Sequence, residues 1–314
     1  MQSVIEVRDL HKSYGDVERL HGIDFVVYAG QIFGFLGTNG AGKTTTVEIL
    51  EGYRSRTSGR VSVLGTDPAQ ASRAWRNRIG LVLQESELDP VYTVRETVGM
   101  FARYFKAPTS IDRTISTAGL SDKGDERIGR LSGGQKRRVD VALGLVGDPE
   151  VLFLDEPTTG LDPAARREMW TMIESLRDSG KTVFLTTHYM DEAQHLSDHI
   201  VILREGSIAA EGSPDELSRK LGTTSVVSFV LPSGVTPAQL GTAIGASIAV
   251  EPGSVRFRTD AVQRDLTTLL DWAHRERLEL LNLQVTQPSL DDVFVELAQS
   301  PHEVGRDGGS VPGE

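Results

Sequence analysis

Gly37-Thr38-Asn39-Gly40-Ala41-Gly42-Lys43-Thr44 decides the reading of this chain. The stretch fits a phosphate-binding loop (glycine, four free positions, glycine, lysine, then serine or threonine) at every fixed position. An apolar run at 32–36 precedes it, and a helical run at 44–50, closed by Gly52, follows it. Strand, glycine loop and helix is the context in which such a match becomes a site. The glycines let successive backbone amides face a phosphate, and the helix start adds partial positive charge. Lys43 is then placed to reach the outer phosphate oxygens, and the Thr44 hydroxyl to ligate Mg²⁺.

Around this loop lie 314 residues, 39% apolar and 25% charged, the proportions of an ordinary globular protein. The net charge of −11 argues against a chain built mainly to grip nucleic acid. The longest apolar stretches, such as 151–154 and 200–203, are strand-sized. None approaches the roughly 20 residues needed to cross a bilayer. The start is charged within a few residues and lacks the apolar segment of a signal peptide. With no cysteine, disulfides and thiolate metal sites are excluded. A soluble intracellular protein is expected.

Short runs rich in Val, Ile and Phe at 4–7, 23–28 and 31–36 read as strands. A turn at 57–59 leads into another at 60–64. Residues 93–145 read as mainly helical. Thr93 and Glu96 form a capping box, behind which Val94, Val98, Phe101 and Phe105 make one stripe expected to be buried. From 151 the pattern alternates: strand 151–154, helix 163–179, strand 182–186, helix 190–196, strand 200–203. Apolar strands separated by such helices imply a parallel sheet covered on both faces. A composition shift at 222–224 divides a domain 1–221 from an extension 222–299, with a tail 300–314 expected to be disordered. The extension reads as strand 225–231, helix 236–244, strands 246–250 and 254–258, helix 261–276, strand 280–286 and helix 289–298. That β-α-β-β-α-β order suits a small ferredoxin-like α+β domain.

The apolar strand at 151–154 ends in two carboxylates, Asp155 and Glu156. An unpaired buried charge is expensive, so a strand end of this kind needs a partner. Mg²⁺ beside the phosphate loop supplies it: Asp155 holds the metal, and Glu156 polarises an attacking water. Leu131-Ser132-Gly133-Gly134-Gln135 opens a second amphipathic helix marked by Val139, Ala142, Leu143 and Val146. Ser132 and the two glycines therefore lie at another anion-binding helix start. Two phosphate binders so far apart make sense if they face each other across a dimer.

With this pentapeptide the chain resembles the ABC-type ATPases, whose hallmark it is. The resemblance covers about residues 4–220, with Thr38 standing where many relatives carry proline. It implies a phosphate-loop NTPase cassette, of class α/β, with a parallel-sheet core, an antiparallel β subdomain and a helical subdomain. It implies ATP bound by Tyr14 stacking on adenine and by Gly37, Thr38, Asn39, Gly40, Ala41, Gly42, Lys43, Thr44 and Thr45. Thr44, Gln84 and Asp155 are the implied Mg²⁺ ligands, Gln84 also starting the segment that faces a membrane subunit. Glu156 and His188 are the implied catalytic pair, His188 at the γ-phosphate. Leu131, Ser132, Gly133, Gly134, Gln135 and Asp162 are expected to act on the ATP of a second cassette paired head to tail, Asp162 being also an apparent N-cap before Pro163.

Residues 223–298, and above all 288–297, resemble the extension of the daunorubicin-resistance branch. That resemblance implies export of drugs or other hydrophobic compounds through a separate permease, at the cytoplasmic face of the membrane, without direct nucleic-acid binding. An importer ATPase would carry the same cassette. ABC ATPases acting on DNA or ribosomes share the motifs but typically need coiled coils or fused cassettes, which this chain lacks.

Overall fold

A computed structural model describes residues 2–84, 87–220, 225–232, 234–251 and 253–286. The chain divides into two compact units, Met1–Leu217 and the remainder from Ser218. The boundary expected at 221/222 lies outside the described residues.

The first unit opens with a hairpin, β1 (Ser3–Tyr14) and β2 (Val17–Tyr28), followed by β3 (Ile32–Gly37), α1 (Lys43–Leu50) and β4 (Ser58–Val63). The chain continues through α2 (Arg73–Arg76), β5 (Ile79–Val82), α3 (Val94–Ala102), α4 (Ile111–Thr117), α5 (Gly133–Leu145) and β6 (Val151–Asp155). Then come α6 (Pro163–Asp178), β7 (Thr182–Thr187), α7 (Met190–Leu196), β8 (His199–Arg204) and β9 (Ser207–Gly212), and α8 (Pro214–Lys220) spans the division after Leu217.

The central sheet runs β5-β6-β7-β3-β8-β9, parallel except for β9 at its edge. Its strands are apolar on both faces because both are covered. One face presents Phe33, Phe35, Phe153 and Phe184, with Phe25 of β2 stacked among them at centroid distances of 5.4–6.2 Å. The other face presents Leu152, Leu154, Val183 and Leu185 to a core shared with Val98 of α3, Val139 of α5 and Ile173 of α6. Each aromatic pair adds about 0.5–1.5 kcal/mol beyond its area burial. The Phe25 cluster thus fixes the antiparallel β2-β1-β4 sheet over the core.

Two departures from the sequence reading have physical causes. The first strand is not confined to 4–7 but continues to Tyr14 through a register shift, where Asp9 takes φ 49°. That bulge breaks the alternation that a pattern search needs. The stripe on α3 is also corrected: the capping box of Thr93 and Glu96 is present, but Phe101 is 41% exposed. The buried face follows the rows Val94, Val98 and Ala102 with Thr97, and the helix ends before Phe105, which is half-buried.

The second unit is built from β10 (Ser225–Val230), α9 (Pro237–Ile244), β11 (Ala249–Glu251), β12 (Ser254–Thr259), α10 (Val262–Arg275) and β13 (Leu281–Thr286). The sheet order β11-β12-β10-β13, antiparallel throughout, is that of a ferredoxin-like α+β domain. Val227, Phe229, Val255 and Phe257 meet Leu240, Ile244 and Leu269 of the two helices in its core. The helix expected at 289–298 and the tail 300–314 lie outside the described residues.

Candidate active site

The phosphate loop leaves β3 where the sheet ends and turns directly into α1. Gly42 caps that helix at φ 111°, a conformation other residues avoid, and a Cβ there would meet Leu20 Cδ2 at 2.7 Å. At Gly37 a Cβ would meet the Leu203 carbonyl oxygen at 2.5 Å, so backbone packing as well as ligand approach demands glycine. No acidic residue occupies the first turn of α1, which leaves its positive end uncompensated by its own side chains. Lys43 is only 6% exposed. Its Nζ donates to the carbonyls of Gly37 at 2.8 Å and Thr38 at 3.4 Å, and lies 3.5 Å from Glu156 Oε1.

Glu156 follows β6 directly and takes φ 47° with its side chain 9% exposed. A non-glycine residue in this left-handed region costs of order 1–3 kcal/mol and persists where neighbours hold it. Its amide donates to both the carbonyl and the hydroxyl of Thr186, each at 3.1 Å. Its Oε2 accepts from Gln84 Nε2 at 3.4 Å and Thr159 Oγ1 at 3.2 Å, with His188 Nδ1 at 3.1 Å. His188 Nδ1 makes no hydrogen bond there, so the approach is a close contact of the imidazole with the carboxylate. Four side chains from separate parts of the sequence thus converge on one carboxylate. Asp155 accepts from the Thr186 hydroxyl. Glu51, just past α1, is pushed up to about 8 by burial, with the charges of Asp155 and Glu48 adding to the effect.

A cavity of about 860 Å³ gathers Tyr14, Thr38, Asn39, Gly40, Gly42, Lys43, Thr44, Thr45, Gln84, Glu156 and His188. Val17, Arg19 and Thr159 also line it and were not singled out from sequence. The first two alternate along β2 just past Tyr14, a period-two signal that the hairpin would have supplied. Tyr14 has Lys12 Nζ 4.9 Å and Arg54 Cζ 5.3 Å from its ring centroid.

Leu131, Ser132, Gly134, Gln135 and Asp162 do not line this cavity. Ser132 and Gln135 form a reciprocal capping box, with Oγ accepting from the Gln135 amide at 3.2 Å and Oε1 accepting from the Ser132 amide at 2.9 Å. Gly133 opens instead on a second cleft of about 690 Å³, which shares Gln84 and Thr159 with this cavity. Asp162 caps α6 by accepting from the amides of Ala164 and Ala165 at 2.9 and 3.0 Å, which hold its carboxyl below the usual range.

The comparison with known proteins decides the family. A relative named Nod factor export ATP-binding protein I, from Rhizobium sp. (strain N33), is 39% identical over 300 residues, covering 93% of this chain and 96% of that protein. The chain belongs to the family of ABC transporter ATP-binding subunits. A protein of the same name from Burkholderia lata is 44% identical over 218 residues, 68% of this chain and 72% of its own. Residues 20–159 match the family described as ABC transporter. Residues 225–289 match the ABC transporter domain-containing protein-like C-terminal domain. Among solved structures, cbiO1 from Clostridium perfringens, part of the ABC transporter complex cbiONQ, superposes with TM-score 0.64 at 28% identity, over 70% of this chain and 95% of that one. The ABC subunit is accordingly an ATP hydrolase. Among the described residues no helix is long and apolar enough to cross a membrane.

Proposed function

We propose that this ABC subunit drives export through a separately encoded permease, moving drugs or other hydrophobic compounds from the cytoplasmic face of the cell membrane. Export is supported by the names of its relatives, and a hydrophobic cargo by the resemblance of residues 223–298 to the drug-resistance branch. Docking on a permease is supported by large exposed apolar side chains at Leu81, Leu83, Val91, Tyr92, Phe101 and Tyr104.

The observation that carries the chemistry is the convergence of Lys43, Gln84, Thr159 and His188 on Glu156 inside the cavity. Tyr14 stacks on the adenine, while the amides of Thr38 to Thr45 and the Lys43 ammonium hold the phosphates. Glu156 takes the proton of the attacking water, Gln84 and Thr159 orient that carboxylate, and His188 donates toward the γ-phosphate. The hard oxygen donors of Thr44, Gln84 and Asp155 suit Mg²⁺, which takes one or two carboxylates plus substrate phosphates. The donor set fits: Thr44 and Gln84 line the cavity, and Asp155 ends β6 directly before Glu156, which lines it too, so the phosphates would complete the shell. Bound there, the ion neutralises charge on the phosphoryl oxygens.

Ser132, Gly133, Gly134, Gln135 and Asp162 face the ATP of a second copy in a head-to-tail homodimer. Their position off the chain's own cavity supports this.

The reading is tested by purifying the chain with its permease and reconstituting both in vesicles. ATP added on the side of the ABC subunit should drive a hydrophobic dye across, and the Glu156→Gln complex should not. Transport in the opposite direction, or co-purification with ribosomes or DNA in place of a membrane protein, overturns it.

A further inference from the structure

Arg137 lies in α5, just beyond the Ser132–Gln135 cap, and its side chain is 9% exposed. A cation so deeply placed ordinarily pairs with a carboxylate through its planar fork. Here Asp140 Oδ2 stands 3.6 Å away, and the fork is spent mainly on main-chain carbonyls. Nε donates to Pro157 O at 3.0 Å, Nη2 to Asp155 O at 2.9 Å and Glu156 O at 3.4 Å, and Nη1 to Leu83 O. Burial pushes the guanidinium's pKa down, and Asp140 works against that shift.

The identity of those carbonyls gives the arrangement its meaning. Two belong to the carboxylate pair itself, one to the residue after it, and one to the residue directly before Gln84. Glu156 is held from its amide side by Thr186 and from its carbonyl side by Arg137, which over-determines its left-handed backbone. A lysine could not reproduce this, because a point charge with three donors cannot span carbonyls from two segments in a fixed plane. An apolar residue would leave the carbonyls facing hydrocarbon.

We propose that Arg137 is a positioning residue for hydrolysis: it fixes the spacing between Glu156 and Gln84 and ties both to the helix that Ser132 caps. The inference rests on the reading of Glu156 as the base. It makes α5 the mechanical link between the chain's own hydrolytic centre and the pentapeptide facing the second cassette. A displacement of α5 on pairing is passed through one guanidinium to the base and to Gln84.

The test uses the full chain carrying Arg137→Lys, with Arg137→Gln as a second variant if the first folds poorly. Loss of alignment should lower kcat by about 10²-fold, the cost of a small misplacement in a reacting constellation. KM for ATP and equilibrium ATP affinity should hold within about twofold, because the interaction acts on the transition state alone. In a Glu156→Gln background the same substitution should change the residual rate by less than about threefold, since groups acting as a unit are non-additive. A folded Arg137→Lys protein with normal kcat overturns the proposal, as does an equal fold-loss with and without Glu156. Near-normal turnover by Glu156→Gln alone would remove the base assignment, and the kcat-against-KM split of Arg137→Lys would then decide for or against Arg137 by itself.

Discussion

Replacing Glu156 by Gln should slow hydrolysis and tighten ATP binding together, and the second effect follows from the structure. Lys43 Nζ and Glu156 Oε1 stand 3.5 Å apart, with side-chain exposures of 6% and 9%. At an effective dielectric near 20, that separation corresponds to about 5 kcal/mol of attraction, offset by a desolvation penalty of several kcal/mol per ion. The pair is therefore close to neutral for stability while both charges are present. Removing one leaves Lys43 buried without its counter-charge, although its bonds to the Gly37 and Thr38 carbonyls remain. Breaking a buried pair costs about 3–5 kcal/mol at full burial, so roughly 1–3 kcal/mol is expected with those bonds retained. ATP returns negative charge to Lys43, and in the variant its phosphates no longer meet the Glu156 carboxylate. The free energy lost by the unliganded fold should reappear as affinity, about tenfold for each 1.4 kcal/mol. Turnover should fall by about 10²–10⁴, the usual contribution of a general base. Titration calorimetry with Mg-ATP, thermal unfolding with and without nucleotide, and phosphate release measure the three quantities. Weaker ATP binding, or turnover within tenfold of the parent, would refute the reasoning.

Lys43→Ala should abolish measurable ATP affinity while the protein still unfolds cooperatively, because it removes the cation among the loop amides; tight ATP binding by the folded variant would sink the loop assignment. Deleting residues 222–314 should leave ATP affinity near normal, since every residue lining the cavity lies at or before His188. That deletion should weaken assembly with the permease or the second cassette, measured by co-purification. Hydrogen bonding to Glu18, assisted by Asp9, raises His11 above its ordinary 6.5. Glu18 is in turn lowered by His11 and His21. The stabilisation through His11 is thus fully present below pH 6.5 and lost as pH rises through its folded pKa, while that through Glu18 is lost on acidification. NMR titration should place His11 above 6.5, and the melting-temperature advantage of the parent over His11→Gln should shrink as pH rises past that value.

The phosphate loop, the carboxylate pair and the parallel core were legible because each is a local pattern with an obligatory context. Thr93 with Glu96, and Asp162 before Pro163, were legible for the same reason: a cap is read over three or four residues. What escaped depended on distance. β9 went unread because Ser207–Gly212 holds little apolar surface; it exists as the return arm of a hairpin turned at Glu205 and Gly206, both at positive φ. Arg137 reads as one more charge on a basic stretch, Lys136-Arg137-Arg138, until the fold brings Leu83 and 155–157 to it. Phe101 was misplaced because helical spacing alone does not say which of two adjacent rows meets the core.

The two glycines of the pentapeptide carry different constraints, although they look interchangeable in sequence. A Cβ on Gly134 would lie 2.7 Å from Ala165 Cβ, so this glycine is required by packing of α5 on α6 within a single chain. A Cβ on Gly133 would meet nothing within 4 Å, and its φ is not positive. Nothing in the chain's own described fold therefore demands glycine at 133, and alanine at this first helical position should leave helix stability unchanged or raise it by less than the roughly 0.5–1 kcal/mol of a mid-helix site. If Gly133 nevertheless faces the phosphates of a second cassette, Gly133→Ala should keep or raise the melting temperature and yet depress hydrolysis. Gly134→Ala should lower both and so cannot separate the two causes. Ser132→Arg sharpens the test, since mixing it with Lys43→Ala should restore at most one composite site per pair. Hydrolysis by Gly133→Ala at the parental rate, or a rate per chain that does not change on dilution, would show that each chain works alone and that the pentapeptide is only a well-capped helix.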